Sequence, residues 1–151
     1  MEAVMVKFRY SMQSVLDIKY RLEDQAKGVY AAAKLRYEEE VEKKERLEEQ
    51  KRRYENALQK LMLNRLDFRE IQFTKTGIEA IEDAIKKQKR AVAIAKHEME
   101  AASERLRELM VERKTHEKLK EKALEEYQKE SLDIERKETD EIVSYRFNNP
   151  K

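Results

Sequence analysis

Between Ile78 and Leu109 an apolar residue returns in alternating steps of three and four. The positions are Ile78, Ile81, Ile85, Gln88, Val92, Ala95, Met99, Ala102, Leu106 and Leu109, and Gln88 alone interrupts the apolar series. A 3-4 alternation averages 3.5 residues, the period of a supercoiled helix seam rather than of a globular surface helix. A helix cannot bury such a stripe against itself, so the pattern demands a partner helix. Function in such a chain resides in contacts along a rod and at its ends.

Charge supports this reading. Of 151 residues, 44% are charged, with 34 Lys+Arg against 32 Asp+Glu. Both signs are interspersed on nearly every turn, as on the solvated faces of a coiled coil. The chain has 2 Gly and 1 Pro, and Pro150 is penultimate, so nothing interrupts long helices. It has no cysteine, which excludes disulfides and thiolate metal sites and is compatible with a reducing cytosol. No apolar run approaches the roughly 20 residues that cross a bilayer. The longest central run is Ala91 to Ala95, and the start, MEAVMVKFRY, is too short for a signal-peptide core with a cleavage site. A soluble, cytoplasmic protein without membrane insertion is expected.

The pattern stops once, in LDFREIQFTKTG between Leu66 and Gly77. Thr76 stands three residues before Glu79, which reads as a capping box opening a second helix. Upstream, a weaker apolar series runs through Met12, Val15, Leu22, Ala26, Val29 and Ala33, then Tyr37, Leu47, Tyr54, Leu58 and Leu61. Lys19, Glu40, Lys44 and Lys51 lie on or beside it. The expected fold is all-α, one coiled-coil domain over 1–151. Helix 1 spans about 11–66, a tip about 67–77, helix 2 about 78–145, and a frayed tail 146–151. At 1.5 Å per residue the helices would be on the order of 80 and 100 Å long.

A short connection makes antiparallel neighbours the default, and hence a long two-helix hairpin that is a monomer on its own. If residues 64–77 stayed helical, the same stripe could instead pair two chains. With the turn centred near residue 72, Leu61 faces the turn from Ile81 to Ile85, Tyr54 lies near Gln88 to Arg90, and Met12 meets Leu132. The first twenty residues and the segment from Tyr127 to Ile142 then converge at one end. Phe68, Ile71 and Phe73 lie at the other, where they pack together to close the tip.

Reactive chemistry is nearly absent. Gly28 and Gly77 sit in no phosphate-cradling pattern. His97 and His116 are too far apart on a helix to share a metal, and His97 lacks the spacing of a helical zinc pair. Glu38, Glu39 and Glu40 read as a solvated face rather than an acid–base site. The basic cluster Lys86, Lys87, Lys89 and Arg90 is neighboured by Glu79, Glu82 and Asp83, and the net charge is only +2, which argues against nucleic acid. The expected protein is not an enzyme and uses no cofactor or metal. What the stripe does not need is the crowd of Phe8, Tyr10, Leu16, Ile18 and Tyr20 at the start. These either pack against helix 2 or dock into a partner, as contiguous exposed apolar patches do.

The opening FRYSMQSVLDIKYRLEDQAK resembles the N-terminal signature of the FliJ family of flagellar export proteins: alternating aromatics, a hydrophobic residue, then a Val-Leu pair before a charged helix. Phe8, Tyr10, Met12, Val15 and Leu16 occupy those places. The far end, EKLKEKALEEYQKESLDIERKETDEIVSYRF, is similar to the family's closing motif, with Leu119, Lys120, Lys122 and Tyr127, then Glu135, Lys137, Glu138, Asp140 and Glu141. The resemblance covers nearly the whole chain.

That resemblance implies an antiparallel coiled coil similar to the γ-subunit hairpin of rotary ATPases. The end holding both termini would enter the hexameric flagellar export ATPase ring and promote its assembly and activity. Another part would contact the membrane export gate protein, and export chaperones would also bind. Carried over by position, the ring-facing residues are Phe8, Tyr10, Met12, Val15, Leu16, Tyr127, Asp140 and Glu141. The gate-facing ones are Leu47, Tyr54, Ile81, Ala84 and Gln88, although Gln50 and Gly77 stand where the family pattern has bulkier residues. It further implies peripheral association with the cytoplasmic side of the cell membrane. A general coiled-coil substrate chaperone and a stalk of another rotary ATPase are the alternatives.

Overall fold

The computed structural model describes residues 7–64 and 67–148. They form two α-helices, α1 (Gln13–Asn64) and α2 (Phe68–Asn148), and no strand. The expected fold class, an antiparallel two-helix hairpin, is the one observed.

Helix 2 begins ten residues earlier than the sequence pattern implied. Asp67 is its cap: the Asp67 carboxylate accepts the Arg69 amide at 3.1 Å, and its carbonyl accepts the Ile71 amide at 3.0 Å. Glu70 follows in the first turn, where the helix dipole favours a negative charge. Thr76 is therefore not a cap. Its hydroxyl donates to the Gln72 carbonyl at 2.9 Å, and the Thr74 hydroxyl donates to Glu70 in the same way at 2.8 Å. Both are interior helix threonines satisfied one turn back. The expected tip, 67–77, is helical from Phe68 onward. At the other end α2 continues through Asn148, so 146–148 are helical rather than frayed, while 149–151 and the expected helix 1 end at Leu66 lie outside the described residues.

The chain divides into two compact units, Met1–Asp24 with Glu108–Lys151, and Gln25–Arg107. In the second unit the helices run antiparallel: Arg36 meets Glu98, the Glu40 carboxylate meets Gln88, Lys51 meets Glu82, and the Tyr54 ring lies over Gly77. These pairs centre on about residue 66, not 72. Tyr54 is accordingly opposite Gly77 rather than Gln88 to Arg90. The shift follows directly from the earlier start of α2.

The buried positions show where the seam runs. On α2 the 3-4 alternation extends back from Ile78 through Thr74 and Ile71, both buried. Ile81, Ile85, Ala95 and Ala102 are buried in the same row, with Ala95 only 2% exposed. On α1 the row differs from the one expected. Val29 is 63% exposed, whereas Ala26 is buried and Tyr30 half-buried. Counting in threes and fours from Ala26 passes through Tyr30, Ala33, Tyr37, Glu40, Lys44, Leu47 and Lys51, all at least partly buried. The α1 seam therefore includes the charged residues that had looked like neighbours of the stripe. Its apolar periodicity is weak because charges occupy seam positions.

In the first unit Leu16 and Leu109 are the buried apolar residues, 2% and 3% exposed, and Glu23 is buried beside them. Phe8 stacks obliquely on Tyr127, with ring centroids 5.5 Å apart and planes at 48°. Phe8 thus meets Tyr127, and Met12 does not reach Leu132, which is exposed.

Candidate functional site

Residues 8–16 lead into the first turns of α1, and the chain is tied down by short bonds. The Gln13 amide donates to the Tyr10 carbonyl, the Leu16 amide to the Met12 carbonyl (both 3.1 Å), and the Gln13 side chain to Asp17 at 2.9 Å. This start positions Leu16 inward, Phe8, Tyr10 and Val15 half-buried, and Met12 outward. Phe8, Arg9, Tyr10, Gln13 and Lys120 line a shallow groove of about 360 Å³. A second groove, about 260 Å³, passes from Leu16 and Tyr20 to Glu117, Lys120 and Leu124. The aromatic pair thus stands next to two grooves whose linings carry Arg9 and Lys120 as well as Glu117 and Glu121.

Beside it lies a polar layer that the sequence reading did not identify. Arg113 donates to both oxygens of Glu23, at 2.6 and 3.3 Å, and its remaining nitrogen donates to Glu117 at 3.1 and 3.2 Å. The Tyr20 hydroxyl donates to Glu117, and Lys19 pairs with Glu112 at 2.9 Å. The hydrogen bond to Glu117 raises the Tyr20 pKa, and the bonds from Tyr20 and then Arg113 hold the Glu117 carboxyl below its ordinary value. Bonds to Glu23 and then Glu117 raise the Arg113 guanidinium in turn. A forked Arg–carboxylate pair of this kind fixes geometry as well as charge.

The expected ring-facing set is brought together only in part. Phe8 meets Tyr127 and lines one groove with Tyr10, Leu16 is buried in the seam, and Met12 and Val15 lie on the adjoining first turns, Met12 exposed. Asp140 and Glu141 do not join them: they lie roughly 20 Å farther along α2 by helical rise. From Leu132 to Asn148 every α2 residue is exposed. Ile134, Ile142, Val143, Tyr145 and Phe147 lie in this stretch, and Glu138, Glu141, Ile142, Tyr145 and Arg146 line a groove of about 450 Å³. The only advance signal was apolar residues that fall off the heptad row.

The gate-facing set is largely internal. Ile81 is buried, and Leu47 and Ala84 are half-buried. The Gln88 amide donates to the Glu40 carbonyl at 2.8 Å and to its carboxylate. Gln88 thereby fills the one polar gap in the apolar series by bonding across the seam. Tyr54 keeps an exposed edge while its ring covers Gly77. At the start of α2, Phe68 and Phe73 do not pack with Ile71: they are 77% and 79% exposed, while Ile71 is buried. Helical spacing separates them, because Ile71 is on the seam and Phe68 and Phe73 are off it. Phe73 instead lines a groove of about 580 Å³ with Ala57, Lys60, Leu61, Asn64, Glu70 and Thr74. Among the described residues no cluster of ligand-type side chains is arranged to hold a metal ion. No described helix is long and apolar enough to cross a membrane.

The family model described as Flagellar FliJ protein matches residues 8–151. A solved structure described as that of a YscO homolog, CT670, from Chlamydia trachomatis superposes with a TM-score of 0.70. It is 25% identical and covers 93% of this chain and 96% of its own. No curated protein sequence matches the chain.

Proposed function

The chain belongs to the FliJ family of flagellar proteins, and from that premise we propose that it is the central stalk of the flagellar export ATPase. The family and the structural likeness support a component of the type III export apparatus. In the finer reading, the end carrying Phe8, Tyr10, Met12 and Tyr127 enters the hexameric ATPase ring and promotes its assembly and turnover. The exposed α2 stretch with Asp140 and Glu141 extends that contact. Leu47, Tyr54, Ile81, Ala84 and Gln88 mark the part that meets the membrane export gate, Tyr54 by direct contact and the buried members by shaping the surface. Export chaperones are further partners. The stalk itself catalyses nothing and is held at the cytoplasmic side of the membrane through these contacts.

The observation that carries this reading is the Phe8–Tyr127 stack beside two grooves, at the positions where the family signature lies. Apolar groups at the end of a stalk would order six subunits around one asymmetric axis. Mixed charges along the helices would let it sit there without locking to one subunit.

The test is ATP turnover and hexamer population of the cognate export ATPase with added full-length chain. Stimulation is expected, and it should be lost when Phe8, Tyr10 and Met12 are replaced together by Ala. Leu16 is left in place so that the seam survives. A well-folded chain that does not stimulate would sink the stalk reading and favour a substrate chaperone.

A further inference from the structure

We propose that the ionic layer of Tyr20, Glu23, Arg113 and Glu117 is a register lock, fixing which of several heptad-spaced alignments the two helices adopt in the first unit. Two helices with seven-residue repeats can pair in alignments seven residues apart with their stripes still matched. Apolar content distinguishes such alignments poorly, and in this unit there is little of it. The seam there carries Lys19 and Glu23 on α1 and Arg113, His116 and Lys120 on α2, with Leu16 and Leu109 as the fully buried apolar residues.

The observed alignment satisfies the charges together. Glu23 is 3% exposed and receives Arg113 through two nitrogens, Arg113 also reaches Glu117, and Lys19 reaches Glu112. A slip of one heptad in one direction would set Lys19 against Arg105 and Glu23 against Leu106. A slip in the other would set Lys19 against Leu119, Tyr20 against Leu124, Glu23 against Lys120 and Arg113 against Tyr30, whereas Arg113 meets Leu16 in the first. The first slip leaves Glu23 and Arg113 against apolar side chains and Lys19 against a like charge, which is strongly unfavourable. The second replaces the forked Glu23–Arg113 pair by a single Lys120 contact and sets Lys19 against an apolar side chain, losing the bidentate geometry. The same slips would carry Phe8 from Tyr127 to Lys120 or to Ile134. The lock therefore determines which side chains surround the aromatic pair.

Relative to an apolar pair such a layer adds little net stability, because a buried ion pair replaced by apolar residues is often neutral or stabilising. The inference stands apart from the proposed function, since register is a property of the isolated chain. The chain contains no cysteine, so two can be introduced cleanly for spin labels. Arg21→Cys and Lys137→Cys are both at exposed positions, one on each helix. A slip of seven residues moves this pair by about 10 Å along the helices.

Pulsed electron paramagnetic resonance should give one distance in the otherwise native full-length chain. With Glu23→Leu and Arg113→Leu together, helix content should persist and a second population displaced by about 10 Å should appear. Glu23→Met with Arg113→Met, which keeps side-chain length, should do the same. A single unshifted distance in either folded double variant would overturn the lock. Loss of helix content in both would overturn it too, because the layer would then be a source of stability rather than of register.

Discussion

The two compact units pair the same two helices by different means. In Gln25–Arg107, α2 presents Ile71, Ile81, Ile85, Ala95 and Ala102 as a nearly unbroken apolar row, and α1 answers with tyrosines, alanines, leucines and several charges. In the other unit, two buried leucines flank a layer of ion pairs, and an aromatic stack closes the row. An apolar row gives adhesion that is tolerant of small changes. A charged layer gives little adhesion and specifies one alignment. The candidate binding surface lies in the unit that is specified rather than merely adhesive, as a surface presenting particular side chains requires.

The strongest attack on this contrast is cavity formation. Leu16→Ala and Ile81→Ala both remove buried apolar atoms, a change that costs about 2–5 kcal/mol depending on how well the site collapses. Leu16 has polar seam neighbours, Lys19 and Glu23, that do not fill an apolar hole. Ile81 stands on its own helix beside Ile78 and Ile85, which do. Leu16→Ala should therefore fall near the top of that range and Ile81→Ala near its floor, measured by urea denaturation followed by circular dichroism. Equal losses would mean that both units pack alike.

How much of this was legible in the residues follows the same contrast. The α2 row could be read because its apolar residues repeat almost without exception from Ile78 to Leu109. Its true start was hidden by two competing caps: Thr76 with Glu79, and Asp67 with Glu70, share one spacing. Continuing the 3-4 count back from Ile78 to Thr74 and Ile71 would have chosen correctly. The α1 row was misjudged between Val29 and Tyr30 because charged residues at seam positions resemble a solvated face. Convergence of Phe8 with the Tyr127 region was legible from antiparallel pairing. The Glu23–Arg113 layer was not, since no local pattern distinguishes a buried charge from a solvated one.

A smaller effect, of opposite sign, belongs to the adhesive unit. Both glycines lie in it, within helices and without positive φ, so neither conformation needs glycine. Gly28→Ala meets nothing within 4 Å and should stabilise by about 0.5–1 kcal/mol through backbone entropy alone. At Gly77 an added Cβ would sit 3.6 Å from the Tyr54 ring, an ordinary contact. Gly77→Ala should therefore gain at least as much. A lower melting temperature for Gly77→Ala would show that Tyr54 needs the gap, and that this unit is more exacting than its apolar row implies.

The smallest effect sharpens the comparison through pH. Glu117 in the polar layer has its pKa lowered by the hydrogen bond from Tyr20 and then those from Arg113, and Glu49 on α1 has its own lowered by Arg52 one turn away. A carboxyl with a depressed folded value stabilises the fold above its unfolded pKa, and loses that contribution as pH falls through the folded value. Tyr20 is shifted the other way: with its pKa raised by the bond to Glu117, it stabilises below the ordinary phenol value of roughly 10 and loses that contribution above it. Glu117→Gln should thus flatten the melting temperature against pH at both the acid and the alkaline ends, because one side chain serves both shifts. Glu49→Gln should flatten the acid end alone, and by less, since its partner lies on the same helix and is screened by solvent. Two identical profiles would show that the polar layer responds to protonation no differently from an ordinary surface pair.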